Sequence, residues 1–420
     1  MIINQLHYSI LIVFLSVFSL NTNAQKIENQ IDSTKIQLKL IEKKKDSLKS
    51  ILEKLELLND KLEIQNILLP HLNEGEQLIE HKAMFLVYDE NHEQSKWVAH
   101  KISQNIIEGN VGRTNDFRED HLISTGSASE KDYFTKYIND KGTYNYNGFG
   151  YDRGHLAPSA DFRWSKTALS ESYFYSNMSP QLPEFNRKGW AKLENALRNY
   201  VTKKKVDLFV VTGPVLNDNL KKIERSVNQI SIPDFFYKVV YDPTNQKSLA
   251  YLLPHKEIEY PLEYYGISVD SLEKITGIDF LYNLKDTLEN KIEQQNNYSF
   301  VLNKNKLDTK PINPNNLDKN QYNTIQARQF IGTNKSVCIC GKVVSTHLSK
   351  NGHIFINLDK SFPDQIFSIT IWKSNVSNFS YPAHKELKDK TICVKGKITE
   401  NKGTPSMSVS NEKSIEIISE

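Results

Sequence analysis

YDRGHLAPSADF, residues 151–162, sets an acid, an arginine, a glycine and a histidine in consecutive positions, Asp152 to His155. Pro158 then forbids a continuing helix. Taken alone the stretch reads equally as a surface turn or as chemistry, so its neighbours must decide.

The chain of 420 residues is long enough for two or three domains with a sizeable core. A hydrophobic content of 39% excludes a wholly disordered chain, and a formal charge of +3 is too mild to prove a polyanionic partner. Ile10 to Leu20 is an apolar run broken only by Ser16 and Ser19, followed by polar Asn21 to Asn23 and small Ala24. This pattern predicts a secretory signal peptide over 1–24, cleaved near Ala24–Gln25, and hence a secreted or periplasmic protein. The run is short for a membrane span, yet only His7 stands where a basic residue is expected, which leaves an uncleaved anchor as the alternative. Residues 25–72 follow with Ile31, Thr34, Leu38, Ile41, Lys45, Leu48, Leu52, Leu55, Asn59 and Leu62 at alternating spacings of three and four. That is a coiled-coil seam, weakened by its polar members and equally readable as one amphipathic helix, with Pro70 beyond its end.

From about Ala83 the pattern changes to strands. AMFLVYDE and KWVAHKI flank a polar turn and read as a hairpin; DLFVVTGPV (207–215), FFYKVVYDP (235–243) and SLAYLLP (248–254) continue the sheet. GWAKLENALRNYVTKKK (189–205) is the clearest helix, burying Trp190, Leu193, Leu197, Tyr200 and Val201 on one stripe. Asn186, Trp190, Glu194 and Arg198 are spaced by four, so the polar members line one helix edge. An ordinary surface ion pair between Glu194 and Arg198 has the same spacing.

Taken in order, KWVAHKIS, GRTNDFRED (112–120), YDRGHLAPSADFRWS, SNMSPQLPEFNRKGWAKLE and FVVTGP resemble the DNA/RNA non-specific endonucleases, the ββα-metal group that includes mitochondrial endonuclease G. The resemblance covers roughly residues 80 to 290, with no departure in the core motif. It implies an α+β fold with a central antiparallel sheet over residues 75–290 and a Mg²⁺ cofactor, with Mn²⁺ as the alternative. It also implies hydrolysis of DNA and RNA backbones to 5′-phosphate and 3′-hydroxyl ends. By the same resemblance His155 is the general base and Asn186 the direct metal ligand. Glu194 is an acid that reaches the metal through water or protonates the leaving group. Arg153 and Arg198 hold phosphate oxygens, Arg113 is a third clamp for which Arg118 competes, and Asn177 and Gln181 support the frame. Asp152 orders the loop, with metal ligation as its alternative. The chemistry is coherent: a phosphodiester repels nucleophiles, so its hydrolysis needs an activated water, charge neutralisation and a stabilised leaving oxygen. Imidazole is largely neutral at physiological pH and suits the base, with one ring nitrogen expected to donate to a main-chain carbonyl. Lys203, Lys204 and Lys205 either track nucleic acid or complement the helix dipole.

Residues 291–322 lose periodicity and read as a linker. Over 323–420 the short strands SVCICGKVVSTHL, HIFINLD, IFSITIW, TICVKGKITE and SMSVSN resemble a five-stranded OB-fold barrel, with Gly-Lys where two strands bend. Thirteen Lys plus Arg stand against eight Asp plus Glu over 321–420, and Phe355, Phe367, Trp372 and Phe379 serve either as stacking groups or as core. The barrel therefore reads as a nucleic-acid binder or as a protein-binding module. Cys338, Cys340 and Cys393 all lie here; a bridge from Cys393 to either of the others leaves one free thiol, and buried reduced cysteines are the alternative.

Two other function classes are weighed. A catalytically silent nucleic-acid-binding or envelope-tethered protein has no use for a base beside a metal position. A metal-dependent phosphatase would show clusters of Asp and His ligands that the motif region lacks. The oligomeric state and any inhibitor partner are not legible, although the helical segment and the nuclease region each offer a route to homo-oligomers.

Overall fold

The computed structural model describes residues 2–295, 308–362, 364–401 and 403–418, with side chains from residue 25. The chain divides into two compact units, residues 1–63 and 64–420. Helix α1 (Ile2–Ile67) is a single uninterrupted run. In its first unit the seam residues Ile31, Leu38, Ile41, Leu48, Leu52, Leu55 and Leu62 are all about half exposed. The apolar run expected to act as a leader falls where side chains lie outside the described residues. Among those described, no helix is long and apolar enough to cross a membrane.

The second unit begins with a seven-stranded antiparallel sheet. Its strands are β1 (Leu78–Glu80), β2 (Met84–Asp89), β3 (Gln94–Ile102), β8 (Leu208–Pro214), β9 (Phe235–Asp242), β10 (Lys247–Pro254) and β11 (Gly266–Ile267), in that spatial order. Two small hairpins are inserted between β3 and β8: β4 (Phe134–Ile138) with β5 (Tyr144–Gly148), and β6 (Asp152–His155) with β7 (Met178–Gln181). Helices α2 (Lys166–Glu171) and α3 (Ala191–Lys204) belong to the same insertion. Strands β3, β8 and β9 are buried along nearly their whole length, because both faces of the sheet are covered.

Successive side chains on these strands point to opposite faces, which separates packing from chemistry. One face carries Phe85, Val87, Trp97, Ala99, Phe209, Val211, Tyr237 and Val239, packed with Ile64, Leu68 and residues of α4 (Val269–Thr276) and α5 (Asp286–Glu293). The other presents His100, Thr212, Phe236 and Lys238, all buried. On that face Phe236 meets Phe185 and Trp190 at ring separations of 5.2 and 5.8 Å.

The helix expected over 189–205 is α3 with a different start. Phe185–Trp190 form a π-helical turn that runs directly into it, so Trp190 and Asn186 belong to the wider turn. Single π turns inside helices are frequently functional. Helix α3 ends at Lys205, left-handed at φ 55°, with Lys203 and Lys204 in its last turn, as the dipole favours.

After α5 come β12 (Gln321–Asn323), β13 (Ser336–Leu348), β14 (Ile354–Leu358), β15 (Phe367–Ile371), the short α6 (Ala383–Glu386), β16 (Thr391–Asn401), β17 (Thr404–Ser408) and β18 (Ile415–Ile417). Pairings β13–β14, β14–β15, β15–β17, β17–β16 and β16–β13 close a ring of five strands. Strand β13 serves both neighbours by changing partner between Lys342, which faces Thr391 on β16, and Val343, which faces Leu358 on β14. Gly341 sits at this bend because an added Cβ would lie 2.8 Å from the Asp359 carboxylate. Cys340 and Cys393 are cross-strand partners joined in a disulfide, and Cys338 is free. Phe367 is core, Phe379 packs against it and Phe355 is half-buried, while Trp372 is exposed.

Candidate active site

The opening stretch forms β6 and the loop after it. In the β6–β7 register Asp152 faces Gln181, Gly154 faces Ser179 and His155 faces Met178. Glycine is required at 154 because any Cβ would fall 2.3 Å from the Gln181 side chain. Asn177 locks the turn after His155: its Oδ1 accepts from the Ala157 amide at 2.9 Å, and its Nδ2 donates to the carbonyls of Ala157 and Ser172. The Leu156 amide also donates to the Asn177 carbonyl. Asn177 thus fixes the backbone that follows His155. Both polar atoms of the Gln181 amide are buried without a partner among the described residues, and its side chain packs against Gly154.

His155 is held by ring edges. Tyr173 and Phe117 approach it at centroid distances of 5.1 and 5.8 Å. Nε2 is buried and has no hydrogen-bond partner, and the expected donation from the ring to a main-chain carbonyl is not found among the described residues. Burial, then the positive charges of Arg113 and Arg153, push its pKa down to about 3. The imidazole is therefore neutral, with a lone pair available to a proton.

The two arginines that act on His155 are placed over aromatic faces. Arg153 lies 3.7 Å from the Phe117 ring centre and 5.2 Å from that of Phe134, and Arg113 stands 6.0 Å from that of Tyr173. Neither has a carboxylate partner among the described residues. Arg118, the competitor of Arg113, is committed elsewhere: it pairs with Asp116 at 3.0 Å, donates to the Ser170 carbonyl and stacks 3.9 Å from the Phe174 centre. Geometry therefore favours Arg113 as the available cation.

Asp152 is engaged by Arg187 through two hydrogen bonds of 2.8 and 2.6 Å, and it accepts from Asn186 Nδ2 at 2.9 Å. These contacts make it a loop-ordering residue that also fixes the Asn186 amide. With Nδ2 turned toward Asp152, Oδ1 of Asn186 remains as a neutral oxygen donor. Arg187 was not foreseen from sequence, although it adjoins Asn186 in the same π turn.

Behind the loop lies a buried charge network that the sequence did not disclose. Arg198 donates to Asp161 Oδ1 at 2.6 Å and to Asn195 Oδ1 at 2.7 Å, and Asp161 Oδ2 pairs with His100 Nε2 at 3.0 Å. Arg198, expected to hold phosphate, is thus occupied in holding the network together. Lys238 donates to Thr212 Oγ1 at 2.9 Å and to the Leu156 carbonyl at 3.2 Å, tying the sheet to the residue after His155. Glu194 has its carboxyl pKa raised by burial, against the pull of Lys238 and Arg198; Lys238 has its ammonium pKa lowered by burial, against the pull of Glu194. Asp161 lies within the quoted motif and His100 within KWVAHKI, but their contact spans 61 positions and no local spacing signals it.

The family model described as DNA/RNA non-specific endonuclease matches residues 69–287, just over half of the chain. Mitochondrial Endonuclease G from Homo sapiens is 28% identical over 223 residues, which are 50% of this chain and 70% of that protein. A protein named Nuclease from Nostoc sp. is 30% identical over 222 residues, covering 50% of this chain and 75% of the relative. A chain of a solved EndoG/EndoGI complex aligns at 26% identity with a TM-score of 0.42, over 51% of this chain and 89% of that one. With its residues 69–287 carrying the site described above, the chain belongs to the DNA/RNA non-specific endonucleases.

Proposed function

We propose that the chain is an exported, divalent-metal-dependent enzyme that hydrolyses backbone phosphodiesters of both DNA and RNA with His155 as general base. The observation that carries this reading is the neutral His155 ring, held by Tyr173 and Phe117 beside two arginines that have no carboxylate partner among the described residues. The neutral His155 imidazole takes a proton from water as its oxygen forms the new bond to phosphorus and the bond to the 3′ oxygen breaks. Arg113 and Arg153 neutralise the phosphate oxygens. Glu194, whose burial favours its protonated form near neutrality, protonates the departing 3′ oxygen and leaves a 3′-hydroxyl and a 5′-phosphate. Arg198 acts through Asp161 by positioning the helix against the motif loop.

Asn186 fits a Mg²⁺ or Mn²⁺ site with one protein oxygen and retained waters, because its Oδ1 is left over by the bond to Asp152. Such an ion, when bound, supplies Lewis-acid stabilisation of the phosphate. Contacts confined to phosphate, a metal and arginines read backbone rather than bases, which supports action on both nucleic acids. The β4–β5 hairpin adds an approach surface: Tyr137, Tyr144 and Tyr146 are each more than half exposed, and Tyr146 reaches Phe134 beside Arg153 at 5.1 Å.

Export is supported by the leader pattern over residues 1–24 and by the Cys340–Cys393 bridge, which an oxidising compartment maintains. The exposed seam of α1 supports self-association as a coiled coil, and the closed five-strand ring supports an OB-like accessory barrel. Cleavage of supercoiled plasmid and of single-stranded RNA by the mature chain with Mg²⁺, beside chelator and His155→Ala controls, tests the proposal. Metal-dependent cutting of both, lost in the variant, is the expected result. Plasmid binding without cutting would instead leave a silent binding protein.

A further inference from the structure

A second cluster of charge lies on the opposite side of the sheet, and it is composed differently. Helices α4 and α5 and the turn between them bring Asp270, Glu273 and Glu293 together, with one carboxylate oxygen of each within 4.8 Å of the others. Glu293 is only 6% exposed, its side chain lies within hydrogen-bonding reach of Glu273, and its buried Oε1 meets no donor among the described residues. Glu273 is oriented by the Phe280 amide, which donates to its Oε1 at 2.9 Å. The charges acting most strongly on Glu293 are all carboxylates: Glu273, then Glu289, Asp270 and Asp279. No ion pair to any of these five residues is found among the described residues.

A fold does not ordinarily bury one carboxylate among four others without a counter-charge, because desolvation and repulsion add. Two ligand oxygens on a Ca²⁺ ion, each about 2.4 Å from it, can be at most ~4.8 Å apart. The three gathered oxygens meet that bound, and the half-buried positions of Asp270 and Glu273 leave room for waters to complete six to eight ligands, as is usual for Ca²⁺. Helix α5 also joins the core through Ile292, whose carbonyl accepts from Ser248 Oγ on β10 at 2.6 Å. An ion here would fasten α4 and α5 to the sheet without approaching the nuclease site.

We infer that Asp270, Glu273 and Glu293 form a structural site for a hard divalent cation of the Ca²⁺ class, separate from the catalytic metal. The rival arrangement is a proton shared between Glu273 and Glu293. The two are separated by titrating Ca²⁺ into the full mature chain carrying Asn186→Ala, which removes the proposed catalytic ligand, and by following both heat and melting temperature. One saturable Ca²⁺ per chain, with a melting temperature raised by several degrees at large excess over Kd, is expected. Glu293→Gln, which removes charge and keeps shape, should abolish both responses and melt no lower than its parent in chelator. Asp270→Asn, at a half-exposed position, should weaken binding at least tenfold. Absence of saturable Ca²⁺ binding, or binding unchanged by Glu293→Gln, would overturn the inference. A melting temperature that rises on mild acidification and ignores Ca²⁺ would assign the cluster to the shared proton.

Discussion

The nuclease sheet and the C-terminal barrel bury their polar groups for different ends. Around the motif loop His100, Asp161, Lys238 and Asn177 are all buried and bonded to one another or to the backbone, beside a histidine whose buried Nε2 has no partner among the described residues. The barrel is filled by Ile339, Val343, Ile356, Ile369, Val394 and Met407, its strands are bridged by a disulfide, and Asp359 is its principal buried carboxylate. Polar burial without apolar gain is costly and persists where it holds chemistry in place. The buried polar groups of the barrel, Asp359 bonded by Thr324 and the Lys342 amide and Lys360 paired with Glu263 and Asp308, instead tie its strands to the chain that precedes it.

The sharpest break in this comparison is His155→Ala. Removing a general base lowers activity by roughly 10²–10⁴-fold. Because Nε2 has no hydrogen-bond partner among the described residues, thermal stability should hardly change, and a plasmid-nicking assay paired with a melting curve checks both halves. In the barrel the corresponding change is Cys340→Ser with Cys393→Ser. The bridge closes a loop of 53 residues, for which chain entropy gives about 4 kcal/mol of barrel stability. Nuclease activity should persist, and limited proteolysis should show the barrel opening first.

Titration sharpens the contrast, because the two regions respond to acid in opposite directions. His155 has its folded pKa depressed from 6.5 to about 3, so the unfolded chain binds more protons between those values. Its contribution is present above pH 6.5 and is lost as pH falls through that window, by at most ~5 kcal/mol. Asp359 is raised by burial from 3.8 to about 6, against hydrogen bonds from Thr324 and Lys342, so here the folded chain binds more protons. Its contribution is present below pH 3.8 and is lost as pH rises toward 6, by at most ~3 kcal/mol. Hydrogen exchange resolved by region, from pH 4 to 7, should show the β6–β7 segment gaining protection while the barrel loses it. His155→Gln and Asp359→Asn should each flatten one slope; equal slopes in the variants would refute the assignment.

What the sequence made legible follows from the range of each signal. Strands β2, β3, β8, β9 and β10 were readable as local apolar runs, and His155 and Asn186 came from an ordered motif. The π turn was not readable, since FNRKGW has no composition that distinguishes a wide turn from an ordinary helix start. The Asp161 network and the Asp270, Glu273 and Glu293 cluster depend on strand order and on which face a residue takes, and neither is fixed until the sheet is assembled. Asp152 shows the intermediate case: a carboxylate beside a proposed metal position is ambiguous by type, and its pairing with Arg187 depends on a contact 35 positions away that no local pattern signals.

Arg113 and Arg118, five positions apart, give the smallest and most discriminating prediction. Both carry the same charge over an aromatic ring, Arg113 over Tyr173 and Arg118 over Phe174, but among the described residues only Arg118 is tied down, by Asp116 and the Ser170 carbonyl. Arg113→Ala should raise KM for plasmid by up to about tenfold, the ~1–1.5 kcal/mol of one charge-assisted contact, with the melting temperature unchanged. It should also raise the His155 pKa by removing a nearby positive charge, shifting the acid limb of the rate profile toward higher pH. Arg118→Ala should do the reverse, leaving KM and that limb near the wild-type values while lowering stability by about 1 kcal/mol through the lost carbonyl and carboxylate bonds. If both variants altered KM equally, proximity to an aromatic ring would matter more than freedom from a partner, and the geometric choice of Arg113 would fail.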